Sequence, residues 1–321
     1  MNSEVLGIKP TVAVSACLMG EKVRYDGGHK RSVYLQQNLA GVFNLQSICP
    51  EVAIGLGIPR QPIRLVQTER GVRALGSKDA SLDATQSLDS YADQMLPELQ
   101  HTDGYIFMQK SPSCGAFRVK VYSEDGNQIV ASQAGIYAQK IQRILPNLPV
   151  EEAGRLSDPV LLENFMTRVF CRMEWRTKVL AKPTVNDLVC YHARHKALLK
   201  AHSPDNAAKL GRIVAVATLK TLPVVLEEYE ACFMSALMHK AKRKNHAHVL
   251  MDLAKSVSRQ MSPNEKAEWE TLVARYRAGE VPLIVPLTLL RHYSLSLEDG
   301  FIRTQSYLEP HPYHLGLRNQ I

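Results

Sequence analysis

Short apolar runs, separated by polar stretches that carry glycine, fill the first half of the chain. Thr11-Val-Ala-Val-Ser-Ala16 is apolar and β-branched without alternation, the pattern of a strand buried on both faces of a parallel sheet. Val42 to Ile48, Ile63 to Gln67 and Gly104-Tyr-Ile-Phe-Met108 read as further strands. Ser32 to Asn38 and residues 134–144 read as helical, and Ser81 to Glu98 as an amphipathic helix. Strands alternating with helices predict an α/β domain with a mostly parallel sheet.

From about Glu163 the pattern is helical nearly throughout. Pro183-Thr184 opens a helix to about His202, Ser203-Pro204 another to about Leu219, and one more follows Pro223. Ser262-Pro263-Asn264-Glu265 is a capping box with proline at the first helical position, and Gly279 supplies a stop. An all-α domain of roughly five to seven helices is expected. Loop composition at Leu148-Pro-Val-Glu-Glu-Ala-Gly154 starts the boundary zone, so the expected domains are 1–165 and 176–321. There is no internal repeat and no low-complexity tract.

Length and composition agree with two domains: 321 residues, 45% of them apolar, supply two cores and exclude bulk disorder. No apolar run approaches the ~18 residues of a membrane span. The start, MNSEVLGIKP, lacks the apolar stretch and cleavage site of a signal peptide, so the expected location is the cytoplasm. Charge sharpens the division. Residues 1–150 hold 15 basic and 13 acidic residues, 151–175 hold 3 and 5, and 176–321 hold 21 and 13. The last segment also holds nine of the eleven histidines. An excess confined to one part points to a polyanion partner; the plain alternative is a solvated basic surface. The candidate contacts are Arg194, Lys196 and Lys200 with His202, then Lys240, Lys242, Arg243 and Lys244 with His239, His246 and His248. Arg275, Arg277 and Arg291-His-Tyr293 add further basic positions. His192 and His195, three apart on one helical face, have a spacing compatible with metal, but no acidic or cysteine partner is near in sequence.

Six cysteines in a chain of this length are far below disulfide-scaffold density. Cys171, Cys190 and Cys232 sit in helical patterns and read as small buried hydrophobes. Cys17, Cys49 and Cys114 differ, because each follows a strand. The carboxyl ends of parallel strands share one edge, so three cysteines distant in sequence can converge there. Zinc would want a fourth ligand, for which His29 is a candidate. A 4Fe–4S cluster held by three thiolates would keep one iron open as a Lewis acid that favours sulfur. Three buried free thiols are the remaining option. The neighbours favour chemistry: Glu51 stands two residues past Cys49, Ser111 and Ser113 precede Cys114, and Gly115 permits close backbone approach. Arg24, Asp26, Arg60 and Arg64 lie in the polar loops after Cys17 and Cys49.

Ser15-Ala-Cys-Leu-Met-Gly20 with Arg24-Tyr-Asp-Gly27, Cys49-Pro-Glu51 and Lys110-Ser-Pro-Ser-Cys-Gly115 resemble the motifs of the bacterial thiouracil desulfidases, in the same order. The resemblance covers about residues 8–165. Tyr191-His-Ala-Arg-His-Lys196 and Leu198-Leu-Lys-Ala-His-Ser203 are similar to the leading motif of a domain fused to some of them, with Tyr191 where a second histidine is expected. That fused form is similar to enzymes that desulfurate 4-thiouridine in tRNA. The resemblance implies a 4Fe–4S cluster on Cys17, Cys49 and Cys114, Glu51 activating water, and Ser111 or Ser113 moving a proton or orienting the ring. It implies substrate contacts at Arg24, Asp26 and Arg60, and tRNA as partner. Tyr25, Phe117 and Tyr137 are candidates to stack on a flipped base. Two other readings stay open: a desulfidase of free thiouracil, and a nucleic-acid-binding protein with a structural zinc or iron–sulfur site.

Overall fold

The computed structural model describes residues 9–295, 300–312 and 315–321. The first eight residues, which bear on the signal-peptide expectation, lie outside the described residues. The chain divides into two compact units, Lys9–Ser157 and Asp158–Ile321.

The first unit is built on two sheets. Its eight strands are β1 (Thr11–Ser15), β2 (Asn44–Ile48), β3 (Ile63–Thr68), β4 (Gly71–Gly76), β5 (Gly104–Phe107), β6 (Val119–Tyr122), β7 (Gln128–Gln133) and β8 (Val150–Glu152). One sheet runs β2-β1-β5-β8 with every pair parallel. Val12, Ala13, Val14, Tyr105, Ile106 and Phe107 are fully buried, which is why β1 and β5 show continuous apolar runs. The other sheet runs β4-β3-β6-β7 and is mixed: β3 pairs antiparallel with β4 and parallel with β6, and β6 antiparallel with β7. The strand expected at Ile63 to Gln67 therefore belongs to a second sheet. The sequence pattern does not reveal β4, β6, β7 or β8. β6 and β8 are short, β4 is bounded by glycines, and β4 and β7 are edge strands.

Three α-helices complete the unit: α1 (Pro50–Ala53), α2 (Thr85–Leu99) and α3 (Ile136–Ile144). Helix α2 buries Leu88, Ala92, Met95 and Leu99 at helical spacing. It starts later than the expected Ser81, because Asp83 bridges to Leu75 and the Ala84 amide donates to Ala74 O at 2.9 Å. A π-helical turn at Leu35–Leu39 replaces the regular helix expected at Ser32 to Asn38.

The second unit is helical: α4 (Pro159–Glu174), α5 (Val185–His202), α6 (Pro204–Ala215), α7 (Leu222–Met238), α8 (Arg243–Val257), α9 (Pro263–Ala278), α10 (Ile284–Ser294) and α11 (Phe301–Thr304). These eight among the described residues exceed the expected number, since α11 is a single turn that periodicity does not show. Thr184 Oγ1 accepts the Asp187 amide at 3.0 Å and starts α5. The Ser262–Glu265 capping box forms in both directions, and Gly279 ends α9 at φ 89°. Helix α6 stops at Ala215, short of Leu219. The core centres on Trp175, stacked on Tyr229 at 5.2 Å between centroids, with Tyr191 and Phe233 against them. Cys171 and Cys232 are buried as expected, but Cys190 is exposed. No helix among the described residues is long and apolar enough to cross a membrane.

Candidate active site

The site forms where the parallel sheet reverses its order. From β1 the chain adds β2 on one side, and later β5 on the other. The loops leaving β1 and β5 therefore diverge and open a crevice at the carboxyl edge of β1. Cys17 lies in a 3-10 turn, Ala16–Met19, directly after β1. Cys49 is the N-cap of α1 after β2. Cys114 lies in the loop after β5. All three line one cavity of about 440 Å³, shared with Arg24, Tyr25, Lys30, Glu51, Arg60, Lys110 and Ser111.

The wall beside Cys114 is a hydrogen-bonded chain. Ser113 Oγ donates to Glu51 Oε1 at 2.5 Å and lies 3.0 Å from Ser111 Oγ. Ser111 Oγ accepts the amides of Ser113 and Cys114. Ser113 is fully buried and Ser111 lines the cavity, so the two serines, equivalent in sequence, occupy different places. The second carboxylate oxygen is held by Arg60: Nε at 3.0 Å and Nη2 at 2.7 Å both donate to Glu51 Oε2. Arg60 also donates to Gly57 O and Val23 O, each at 2.9 Å. With its side chain 6% exposed, Arg60 is committed to protein acceptors, although sequence places it among substrate contacts.

The loop carrying Cys114 is pinned by close backbone packing. A Cβ on Gly135 would stand 2.7 Å from Pro112 O and Ser113 O, and one on Gly115 would stand 2.8 Å from Ser111 O. The first turn of α3 donates into the loop, Ile136 N to Pro112 O and Ala138 N to Ser113 O, both at 3.0 Å. Glu152, buried at the end of β8, accepts the amides of Ala116 and Phe117. Lys110 takes φ 60°, a left-handed conformation costing a non-glycine residue about 1 kcal/mol. Gly135, Glu152 and Ser15, whose Oγ accepts the Met108 amide, escape a sequence reading because each acts across the fold.

Burial raises all three thiol pKa values. Cys17 is pushed from 9.0 to about 11 by desolvation and then by the neighbouring Cys49. Cys49 is raised by desolvation, and Cys114 by desolvation followed by Glu51 and Cys49. Buried, mutually repelling thiols suit a metal group that supplies positive charge and drives deprotonation. Among the described residues no three His, Cys, Asp or Glu side chains gather closely enough to share a single metal ion. A cluster differs, since each iron takes its own thiolate around a void. Three thiols around one cavity fit that donor set. His29, the candidate fourth zinc ligand, is exposed, does not line the cavity, and accepts the Arg31 amide at Nδ1.

Arg24 lines the cavity and pairs with Asp26 at 3.2 Å. Asp26 is exposed and turned to the Gly28 amide, which lowers its pKa. Tyr25 is part of the cavity wall. Tyr137 is fully buried against Tyr91 and Tyr105, so it is a core residue and not a base-stacking one. Phe117 lies under the Arg155 guanidinium, away from the cavity wall. Arg64 packs over Tyr122.

In the helical unit the candidate cations separate into two groups. Arg194 pairs with Glu174 at 2.9 Å and donates to Thr304 O. Arg243 donates to Tyr276 O and Val281 O and packs over the Tyr276 ring. Lys200 pairs with Asp252 at 3.0 Å. Lys196, Lys240, Lys242 and Lys244 are exposed. Tyr191, His192 and His195 are buried core: Tyr191 donates to Cys171 O, His192 Nδ1 meets Tyr229 OH, and His195 Nδ1 meets Tyr191 O. The motif histidines thus serve packing, and desolvation lowers His195 to about 4.

Comparison with known proteins accords with this geometry. The family model for 2-thiouracil desulfurase matches residues 12–153, a span holding all three cysteines and the Glu51–Ser113–Ser111 chain. A second model, DUF1722, a protein of unknown function, matches residues 196–312. The uncharacterized protein YbgA of Escherichia coli (strain K12) is 31% identical over 133 residues, 41% of this chain and 79% of that protein. A solved structure of the 4Fe-4S-dependent thiouracil desulfidase TudS is 30% identical, covers 48% of this chain and 98% of its own, and superposes with a TM-score of 0.37. Through residues 12–153 the chain belongs to the 2-thiouracil desulfurase family, and a DUF1722 region follows at residues 196–312.

Proposed function

We propose that the protein removes sulfur from thiolated uracil, with 4-thiouridine in tRNA as the substrate and a 4Fe–4S cluster held by Cys17, Cys49 and Cys114. The observation that carries this reading is the convergence of three thiols from adjacent strand ends on one cavity whose wall is the Glu51–Ser113–Ser111 chain. Three thiols around one cavity are donors that a 4Fe–4S cluster takes. When bound, it supplies a soft Lewis-acidic iron for the departing sulfur.

The protein groups provide water activation and proton traffic. Glu51 lines the cavity and takes a proton from the water that attacks the thiocarbonyl carbon. Arg60 holds Oε2, which keeps Oε1 directed to the serines. Ser111 faces the substrate, and Ser113 relays between it and Glu51. A C–O bond forms to the water oxygen, the C–S bond breaks, and sulfide leaves with the water-derived protons. Uridine is the product, and no external electron donor is required.

Residues 176–321 carry the excess of positive charge, and a free thiobase gives that charge no task. A tRNA does, because phosphate contacts supply most nonspecific affinity. Lys242 and Lys244 stand exposed at the start of α8, the positive end of the helix dipole. Cations there disfavour the helix by about 0.3–1 kcal/mol each, and a bound phosphate reverses the sign. Six free cysteines suit a reducing compartment, in keeping with the cytoplasm. The test compares turnover of thiolated tRNA with that of free thiouracil in the full chain and in Lys240→Gln/Lys242→Gln/Lys244→Gln. A fall in the tRNA-to-thiouracil rate ratio supports tRNA docking. An unchanged ratio favours the free base as substrate.

A further inference from the structure

Backbone amides that donate to a ligating sulfur raise the reduction potential of an iron–sulfur cluster, because they stabilise its more negative state. The loop after β5 directs its amides away from the Cys114 sulfur. Cys114 N donates to Ser111 Oγ at 3.1 Å, and Gly115 N to Ser111 O at 2.8 Å. Ala116 N and Phe117 N both donate to Glu152 Oε1, at 2.9 and 3.3 Å. Every amide from Cys114 to Phe117 is thus given to oxygen. The polar contact on the Cys114 sulfur is a hydroxyl, Ser113 Oγ at 3.6 Å. Cys49 differs. It stands at the start of α1, and although burial raises its thiol, the amides of Val52 and Glu51 favour its charged form.

Glu152 ends β8, beside the last residue of β5, so its carboxylate stands at the sheet edge from which the Cys114 loop departs. The residue is 7% exposed. Arg155 pairs with Glu151 at 2.7 Å and lies over the Phe117 ring. Two tasks would suit Glu152. One is to hold the loop. A neutral oxygen accepts two amides as well, without the cost of burying a charge. The other task needs the charge itself. A buried anion near a cluster disfavours the addition of an electron, and amides drawn to that anion do not stabilise the reduced state through sulfur. Desulfuration moves no net electrons, so a metal group that serves as a Lewis acid works best in one oxidation state.

We infer that Glu152 is a positioning residue that keeps the reduction potential of a cluster on Cys17, Cys49 and Cys114 low, by its buried charge and by its hold on the Ala116 and Phe117 amides. The sulfur-accepting iron is thereby kept in one oxidation state without a change of ligand. This rests on the desulfidase reading and its cluster. Glu152 acts through the loop, since it does not line the cavity.

The experiment reconstitutes the full-length protein and its Glu152→Gln and Glu152→Ala variants with iron and sulfide. Each is titrated anaerobically with dithionite and redox mediators, and the reduced signal is followed by EPR. Glu152→Gln keeps an acceptor for both amides and removes the charge. Its reduction equilibrium should shift about tenfold toward the reduced form, about 59 mV for one electron. Glu152→Ala also frees the amides and should shift it further. An unchanged potential in either loaded variant overturns the inference while the desulfidase reading stands. If neither variant takes up iron, the wild type decides. Labelled with heavy-nitrogen phenylalanine, its reduced cluster should show no coupling to a sulfur-bonded amide in pulsed EPR, and such a coupling overturns the hold on Phe117. A wild-type chain that assembles no cluster sinks the desulfidase reading, and this inference with it.

Discussion

Replacing Arg60 with alanine separates positioning from packing in this site. Glu51 Oε2 then loses two charge-assisted hydrogen bonds, and Gly57 O and Val23 O lose one each. Breaking a buried ion pair costs about 3–5 kcal/mol, because one charge is left without a partner. The Glu51 side chain keeps 15% exposure, so water recovers part of that loss. The expected destabilisation is therefore about 2–4 kcal/mol. Denaturant unfolding, followed by a probe in the α/β unit, measures it. Adding Glu51→Gln removes the stranded charge, so the double variant should be more stable than Arg60→Ala alone by about 1 kcal/mol or more. Turnover should fall about a hundredfold in Arg60→Ala through misplacement of Glu51, with Arg60→Lys intermediate. Simple addition of the two single-variant stability losses would refute the coupling between Arg60 and Glu51, and the positioning role with it.

Other expectations follow from the same geometry. Ser111→Ala, at the cavity wall, should raise KM and lower kcat, whereas Ser113→Ala, buried behind it, should lower kcat about 10²-fold with KM little changed; steady-state kinetics on free thiouracil separates them. Gly135→Ala forces a carbon against Pro112 O and Ser113 O, so it should destabilise the fold by about 1–3 kcal/mol and reduce iron bound per chain, read by unfolding and iron analysis. The folded apo-protein keeps Cys17 protonated up to about pH 11 while the unfolded chain releases the proton near 9.0, so the folded state binds more protons in that window. Its stability should fall between those values, and Cys17→Ala should flatten the slope. His246 runs oppositely: desolvation lowers it from 6.5 to about 3, so its contribution is full above 6.5 and is lost as pH drops toward 3. Acid unfolding of the helical unit should follow, and His246→Gln should shift its midpoint.

The convergence of Cys17, Cys49 and Cys114 is legible in the sequence. Cys17 and Cys114 follow the buried apolar strands β1 and β5, Cys49 follows the partly exposed edge strand β2, and parallel strands share their carboxyl edge. Glu51 and the two serines were legible as neighbours of those cysteines in sequence. The division of labour between the serines was not, because it depends on which hydroxyl the loop buries. Arg60 was visible as a cation near the site, but its partner is set by a return of the chain past Gly57. Gly135 and Glu152 sit remote in sequence from the loop they hold and carry no local signal. Of the second sheet only β3 was legible, because β4 and β6 are interrupted by polar or partly exposed positions and β4 and β7 lie at the edges. In the helical unit, charge reads well as a total and poorly as individual contacts. Arg194 and Arg243 look like surface cations until their acceptors, Glu174, Thr304 O, Tyr276 O and Val281 O, are in place. Tyr191, His192 and His195 read as a polar motif and fold as an aromatic core.

The most direct test is anaerobic reconstitution of the full chain with iron and sulfide, then incubation with tRNA containing 4-thiouridine and nucleoside analysis of the product. Conversion of 4-thiouridine to uridine, with one sulfide released per base and loss of conversion in Cys17→Ala, Cys49→Ala and Cys114→Ala, is the predicted result. A protein that binds its cluster yet leaves 4-thiouridine and free thiouracil unchanged would contradict the account.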